Sequence, residues 1–490
     1  MARLFPFCRR GERAHRVGNN VESDSVKPSI GNWAGLLGVS ATRALLEGVL
    51  RLSTADETEV ALDMETARLT RFAHNVIHQN VAEVEASLEV RAVCSRRVGA
   101  ASTNDLVPAG LERALAQACA VARHVPEQGD WPGLAEPLSA PARVARPEPV
   151  LAFDEAVAGL SPDARAQPVV AVCRVARSEE LLALGAFSTS YGESAVINSR
   201  GLFCLRAVKP RGSDRRRSSA RRECVGVRSC GRLESLPNQW AALAAEAVRR
   251  ALASRQPRSV PAGDYPVVLE PYAVVTLLEA LSEVGMGALP VQEERSWMNG
   301  RLGRRCRSPQ LTILDDACDP RGVPPAFDCE GMPKQRVPII VQGTPILPVY
   351  DRLNAARAGD RTSTGHAQPF DEEDWDGPLP ENRSVAPGNL TVDEMVAGVD
   401  QGLLVTRMGY VNLLSPHECT VTGATRDGVW WIERGELAYP VENLRFDQSL
   451  LEALAGIRGV GRERCTVAGF FGGVHQVPAL ALDHFRFVAP

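Results

Sequence analysis

No stretch of this 490-residue chain approaches the roughly 18 consecutive apolar residues that a membrane-crossing helix needs. The start, MARLFPFCRRGERAHR, is basic but has no apolar core of the kind a secretory signal requires. No CxxC pair occurs among the 12 cysteines, and none stands at zinc-finger spacing from a histidine. Scattered from Cys8 to Cys465, they read as buried or free thiols, which points to a reducing, cytoplasmic setting. An excess of one charge is missing too. Lys and Arg number 55 against 59 Asp and Glu, a net charge of −4 that exerts no global pull toward nucleic acid or anionic lipid. There is no GxSxG elbow, no GxxxxGK[ST] loop and no repeat of fixed period, so nothing argues for a serine-hydrolase turn, a phosphate cradle or a solenoid.

What is present is a globular composition, 44% hydrophobic and 23% charged, in a chain long enough for two or three domains. Residues 1–40 are polar and aperiodic and are expected to form a flexible leader. At 41–130, apolar spacing in ATRALLEGVLRLS and LERALAQACAVARHV predicts helices, and alternation from TEVALDM to Val98 predicts strands, together an N-terminal α+β domain. Proline-rich 131–150 reads as a linker.

A middle α+β domain is expected at 151–258. It has a helix in PDARAQPVVAVCRVAR that Pro168 should interrupt or reset, strands flanking a turn at Asn198–Gly201, and a closing helix in AALAAEAVRRALASR. Residues 259–490 read as a large β-rich domain with one helix near VVTLLEALSEV and a short one in LLEALAGI. Asp427-Gly428 and Arg434-Gly435 predict two successive hairpins there. The fold class expected is α+β, N-terminal α/β layers followed by that β-rich C-terminal domain.

Two histidines, His74 and His78, stand four apart in RFAHNVIHQN. On a helix their Cβ atoms would lie about 5–6 Å apart and could share a metal; on a strand they would be about 13 Å apart and could not. Flanking alternation favours the strand. TSTGHAQPF places Ser363 and His366 in a loop with no activating elbow, so His366 reads as a loop hydrogen-bonder. In LLVTRMGYVN, alternation puts Arg407 on one face with Val405 and Val411, and Tyr410 with Asn412 on the other. The arginine-rich run within 209–230 offers guanidinium groups to phosphate, but no aromatic residues interleave to stack bases, so nucleic acid is not an expected partner.

LTRFAHNVIHQNV, STSYGESAVINSRGLF, the stretch from QGLLVTRMGYVN to SLLEALAGI, and VAGFFGGVHQVPAL together resemble the TldD/PmbA metalloprotease family over about residues 45–490. The resemblance implies a β-rich C-terminal domain and a dimer enclosing a cavity that admits unfolded peptides, which His366, Arg407, Tyr410 and Asn412 are candidates to line. It also implies zinc held by a His-Glu-x-x-x-His helix and a late cysteine. The corresponding helix, Val274–Leu289, has no histidine, and none occurs between His124 and His366. Phe471 stands where the late cysteine is expected. Glu279 and Glu283 remain on the helix and read as a solvated or salt-bridged face.

The pattern points to the PmbA (TldE-like) branch: no zinc in this chain, and a TldD-like zinc subunit or a second copy as partner. Alternatives are a non-hydrolytic peptide- or nucleic-acid-binding homodimer, and a metalloprotease with other ligands such as Glu279, Glu283 or His475.

Overall fold

The computed structural model describes residues 36–137, 158–208, 212–219, 223–230, 237–322, 324–359, 361–370, 377–470 and 472–489. Most of the expected leader, the linker from 138 to 150, and Phe471 lie outside them. Among the described residues no helix is long and apolar enough to cross a membrane.

The chain opens with helix α1 (Val39–Leu52) and three antiparallel strands, β1 (Glu57–Ala73), β2 (Val76–Cys94) and β3 (Arg97–Thr103), followed by α2 (Pro108–His124). The β1–β2 turn falls on His74 and Asn75, both at positive φ of 50° and 63°. His74 therefore lies in the turn itself rather than on a strand as expected, and only His78 is on β2, both of them exposed at the hairpin tip. Asn75 is the residue the turn depends on. Its Nδ2 donates to the Leu181 carbonyl at 2.8 Å and its Oδ1 accepts from the Ala183 amide at 2.7 Å, tying the tip to the next strand.

Helix α3 (Pro162–Ser178) starts at an N-cap Ser161 whose hydroxyl accepts from the Ala164 amide, and it runs through Pro168 unbroken. The expected interruption does not occur. Proline removes one hydrogen bond, while Val169, Val172, Cys173 and Ala176 bury the same helix against Phe72 and Phe187. Strands β4 (Leu182–Asn198), β5 (Phe203–Val208), β6 (Gly212–Ser219) and β7 (Glu223–Cys230) and helix α4 (Pro237–Ala253) complete this half. Within the arginine-rich run, 212–219 pairs antiparallel with both β4 and 223–230, while 209–211 and 220–222 lie outside the described residues.

The order β3-β2-β1-β4-β6-β7, with β5 also on β4, makes one seven-stranded sheet. Sequence reading separated 41–130 from 151–258, but β1 pairs with β4 from Glu59↔Asn198 to Phe72↔Gly185, so the two share a single layer. The first part of the expected linker is packed as well. Leu134 and Ala135 are buried, and the Trp131 indole donates to Glu57 at 2.9 Å.

The remainder comprises β8 (Gly263–Leu269), α5 (Pro271–Glu283), α6 (Ala288–Gln292), β9 (Ile313–Asp316), β10 (Arg336–Val341), β11 (Thr344–Pro345), α7 (Arg352–Arg357), β12 (Arg383–Val385) and α8 (Val392–Ala397). After these come β13 (Gln401–Ser415), β14 (Thr420–Glu433), β15 (Glu436–Pro440), β16 (Arg445–Ser449), α9 (Leu450–Ala455), β17 (Ile457–Val460), β18 (Cys465–Ala468), β19 (Val474–Val477) and β20 (Leu480–Val488). They form two sheets, β11-β10-β9-β12-β19-β18 and β13-β8-β20-β16-β14-β15 with β17 on β20.

Helix α5, PYAVVTLLEALSE, is apolar around most of its circumference, the pattern of a helix enclosed by protein. It shares one core with residues of both sheets, including Val267, Ile313, Leu403, Val421 and Val477. Strand β14 runs straight through Asp427-Gly428, so the first expected hairpin is absent. The positive φ values there belong to an irregularity opposite Val405–Arg407. The second hairpin does turn at Arg434-Gly435.

Candidate functional site

Of the four residues proposed to line a cavity, three share one strand and His366 belongs to a different sheet's surroundings. Arg407, Tyr410 and Asn412 lie on β13, where register shifts at Val405/Arg407, Gly409/Asn412 and Leu413/Ser415 break the simple alternation. The core face carries Val405, then Met408, then Val411, so Arg407 does not share it. Arg407 instead pairs with Asp427 at 3.0 Å. Tyr410 is 77% exposed at positive φ beneath the Arg426 guanidinium, and Asn412 donates to its carbonyl at 2.9 Å.

His366 is fully buried in the other sheet's region. Its Nε2 lies 3.1 Å from Asp315 Oδ1 and its Nδ1 2.9 Å from Thr364 Oγ1. This hydroxyl–imidazole–carboxylate chain has the atom order of a nucleophilic triad, yet all three residues are buried. It ties the 361–370 loop to β9. Burial and then Lys334 depress the His366 pKa, which keeps the ring neutral. Burial opposes the Asp315 charge, but His366, Lys334 and the Asn382 amide outweigh it and hold the carboxyl well below its ordinary range.

Beside this brace lies a denser polar cluster that three adjacent strands build by register. Arg383 on β12 faces Asp315 on β9, and Ser384 pairs with Gln476 on parallel β19, which brings His475 alongside Arg383. Arg383 Nη2 is 3.0 Å from His475 Nε2. Helix α5 covers the group with Glu279, which is buried and so not solvated; of the two expectations for it, a solvated or a salt-bridged face, only the charge-facing one agrees with its place near Arg383. Glu283 is half-buried. Burial lowers the Arg383 pKa, and Glu279, Asp315, Glu381 and Glu283 offset that only in part, so one guanidinium stands among four carboxylates.

The β18–β19 turn closes the cluster. A side chain at Gly469 would collide with Glu279 Oε1, the Gly472 carbonyl and His475 Nε2, and Gly472 and Gly473 turn the chain at positive φ. Lys334 supplies a second buried cation, 2.7 Å from Glu381. Burial opposes the Glu381 charge, but Lys334 and hydrogen bonds from Lys334 and Gln368 bring its pKa down to about 2.

The zinc that the resemblance implies for the family does not fit this donor set. A guanidinium can only donate, so His475 Nε2 must accept from Arg383, and the ring proton of a neutral imidazole then sits on Nδ1. Neither nitrogen keeps a lone pair for a metal. A cation already stands against the nitrogen a metal would need.

Arg383, Lys334 and Asp315 were missed by sequence reading because their partners lie far along the chain; Arg383 and His475 are separated by 92 positions. The signal available was a charged residue entering the short buried strand Arg383–Val385.

A third cluster joins the N-terminal sheet to the C-terminal half. Arg91 on β2 lies 3.3 Å from Glu59 and 3.1 Å from Glu330, all three buried. Arg352 donates to the Gly133 carbonyl across the same seam at 3.1 Å.

Comparison with known proteins agrees with this architecture. A family profile described as PmbA/TldA metallopeptidase C-terminal domain matches residues 262–488, and one for domain 1 of the same family matches 59–122. The chain is 23% identical over 454 residues to Metalloprotease PmbA of Escherichia coli O157:H7, covering 87% of this chain and 93% of that protein. It is 30% identical over 220 residues to Metalloprotease TldD homolog of Haemophilus influenzae, a match spanning only 44% of either protein. The crystal structure of TldE from Thermococcus kodakarensis superposes with a TM-score of 0.76 at 19% identity, over 91% of this chain and 100% of that one, a likeness of fold. A Thermotoga maritima MSB8 protein assigned as a modulator of a DNA gyrase superposes equally well, at a TM-score of 0.76 and 18% identity over 91% of this chain and 100% of its own. From both domain matches and the full-length relative, this chain belongs to the TldD/PmbA metalloprotease family.

Proposed function

We propose that this chain is a zinc-free, PmbA (TldE-like) subunit of a peptide-processing assembly whose hydrolytic zinc is carried by a TldD-like partner. The observation that carries this reading is the Arg383–His475 hydrogen bond beside buried Glu279 on a helix with no histidine. In this reading the chain's contribution is structural. It completes the wall of the peptide chamber and offers strand edges to an extended substrate, which such edges bind through main-chain hydrogen bonds. The alternative metalloprotease reading draws on Glu279, Glu283 or His475, and the Arg383 guanidinium against His475 weighs against that histidine as a ligand.

Metal analysis of the purified chain and a peptidase assay on an unfolded peptide, with and without a TldD-like subunit, test the proposal. The expected result is no stoichiometric zinc and no hydrolysis alone, with activity appearing or changing only in the mixture. Zinc bound at one equivalent with hydrolysis by the chain alone would reject it. An inert chain that pairs only with itself would favour the non-hydrolytic homodimer.

A further inference from the structure

We propose that Arg383 is the resident cation of the inner site: its guanidinium stands in for a divalent metal ion against Glu279 and His475 and keeps the site closed to metal. This deepens the zinc-free reading and rests on it. The argument begins with charge. Glu279 is 4% exposed and Arg383 6%, and a carboxyl so enclosed either holds a proton or faces a cation; Arg383 is the cation beside it. Of the carboxylates acting on Arg383, that of Glu279 acts most strongly.

Geometry continues it. The Glu279 carboxylate, His475 imidazole and Gly472 carbonyl crowd the same side of Gly469, so oxygen and nitrogen donors of the kind that bind late first-row divalent ions already converge there. The lone pair that would complete such a set is spent on Arg383 Nη2 at 3.0 Å. Arg383 is therefore a positioning residue. It fixes the His475 tautomer, neutralises Glu279 and holds β12, β19 and α5 around the glycine turn.

The test is Co2+ titration of the full chain, read by visible absorption and calorimetry, in wild type and in Arg383→Ala. The variant should take up one equivalent at least tenfold more tightly than wild type, with ligand-field bands of low coordination number and displacement by Zn2+. Adding His475→Gln or Glu279→Gln to Arg383→Ala should abolish uptake, and Arg383→Lys should stay closed because it retains the charge.

A folded Arg383→Ala that takes up no Co2+, or takes it up regardless of His475→Gln, overturns the inference and leaves the zinc-free reading standing. Saturable uptake by wild type overturns both. Should Arg383→Ala fail to fold, ring 15N chemical shifts of His475 in wild type decide. An unprotonated Nε2 and a protonated Nδ1 are expected, and a proton on Nε2 overturns the assignment.

Discussion

Replacing Arg91 with methionine should loosen the seam between the N-terminal sheet and the C-terminal half, and the loss should grow with pH. Arg91 is 7% exposed and lies between Glu59 and Glu330, at 3.3 Å and 3.1 Å. Removing one member of a buried ion cluster leaves its partners uncompensated and costs about 3–5 kcal/mol. Methionine keeps much of the apolar stem, so the deficit reports charge more than packing. Burial raises the Glu59 pKa to about 7 even with Arg91 opposing it. Burial and then Glu330 raise nearby Asp328 to about 8 and Asp351 to about 6.

A carboxyl raised in this way keeps its proton when folded and loses it when unfolded. Its contribution is full below the unfolded pKa and is lost as pH climbs through the folded one. Without the guanidinium, Glu59 is pushed higher still, and each affected proton is worth about 1.4 kcal/mol per pH unit inside its window. Urea unfolding followed by circular dichroism, near about pH 5.5 and about pH 8, should show the larger deficit at the higher pH. Equal deficits at both, or less than about 1 kcal/mol at either, would refute the reasoning.

Other outcomes are expected from the same physics. Asn75→Ala should destabilise by about 1–3 kcal/mol through the two orphaned backbone groups of Leu181 and Ala183. His74→Ala and His78→Ala, on the exposed tip, should stay within about 0.5 kcal/mol in the same chemical denaturation. Trp297→Ala should cost about 3–5 kcal/mol in thermal unfolding, because the indole is fully buried and donates to the Leu281 carbonyl at 2.8 Å. Gly99→Ala should cost about 1–3 kcal/mol or more, since its Cβ would strike the backbone of Ala118 and Ala122 where β3 packs on α2. On the acid side the sign reverses. Asp315 and Glu381 have lowered pKa values, so their stabilisation is present above the unfolded carboxyl range and fades as pH falls toward about 2, a loss that Lys334→Met should diminish in acid titrations followed by fluorescence.

Much of the secondary structure was legible in the sequence. Helix α2 and strand β1 follow from periodicity, because one face of each meets a core whatever the topology, and α5 follows from its apolar run. The failures were at positions where local rules compete with packing. Pro168 signals a break, yet burial of Val169 and Val172 carries α3 through it. Asp427-Gly428 signals a hairpin, yet pairing with β13, β15 and β16 keeps β14 extended. The site was legible only by halves. Glu279 and His475 could be named as candidates, but the residue joining them to a charge, Arg383, becomes a neighbour only through the register of β9, β12 and β19, which no local pattern encodes. His366 was identifiable, but its partner Asp315 lies 51 positions away.

The pairing of β1 with β4 also bears on how the polypeptide emerges from a ribosome. The first strand, complete at Ala73, must wait for Leu182 onward before its second side is satisfied. At ordinary elongation speeds that interval is on the order of ten seconds. Nascent fragments ending between these points would carry a long unsatisfied edge, open to self-association or to a holding chaperone.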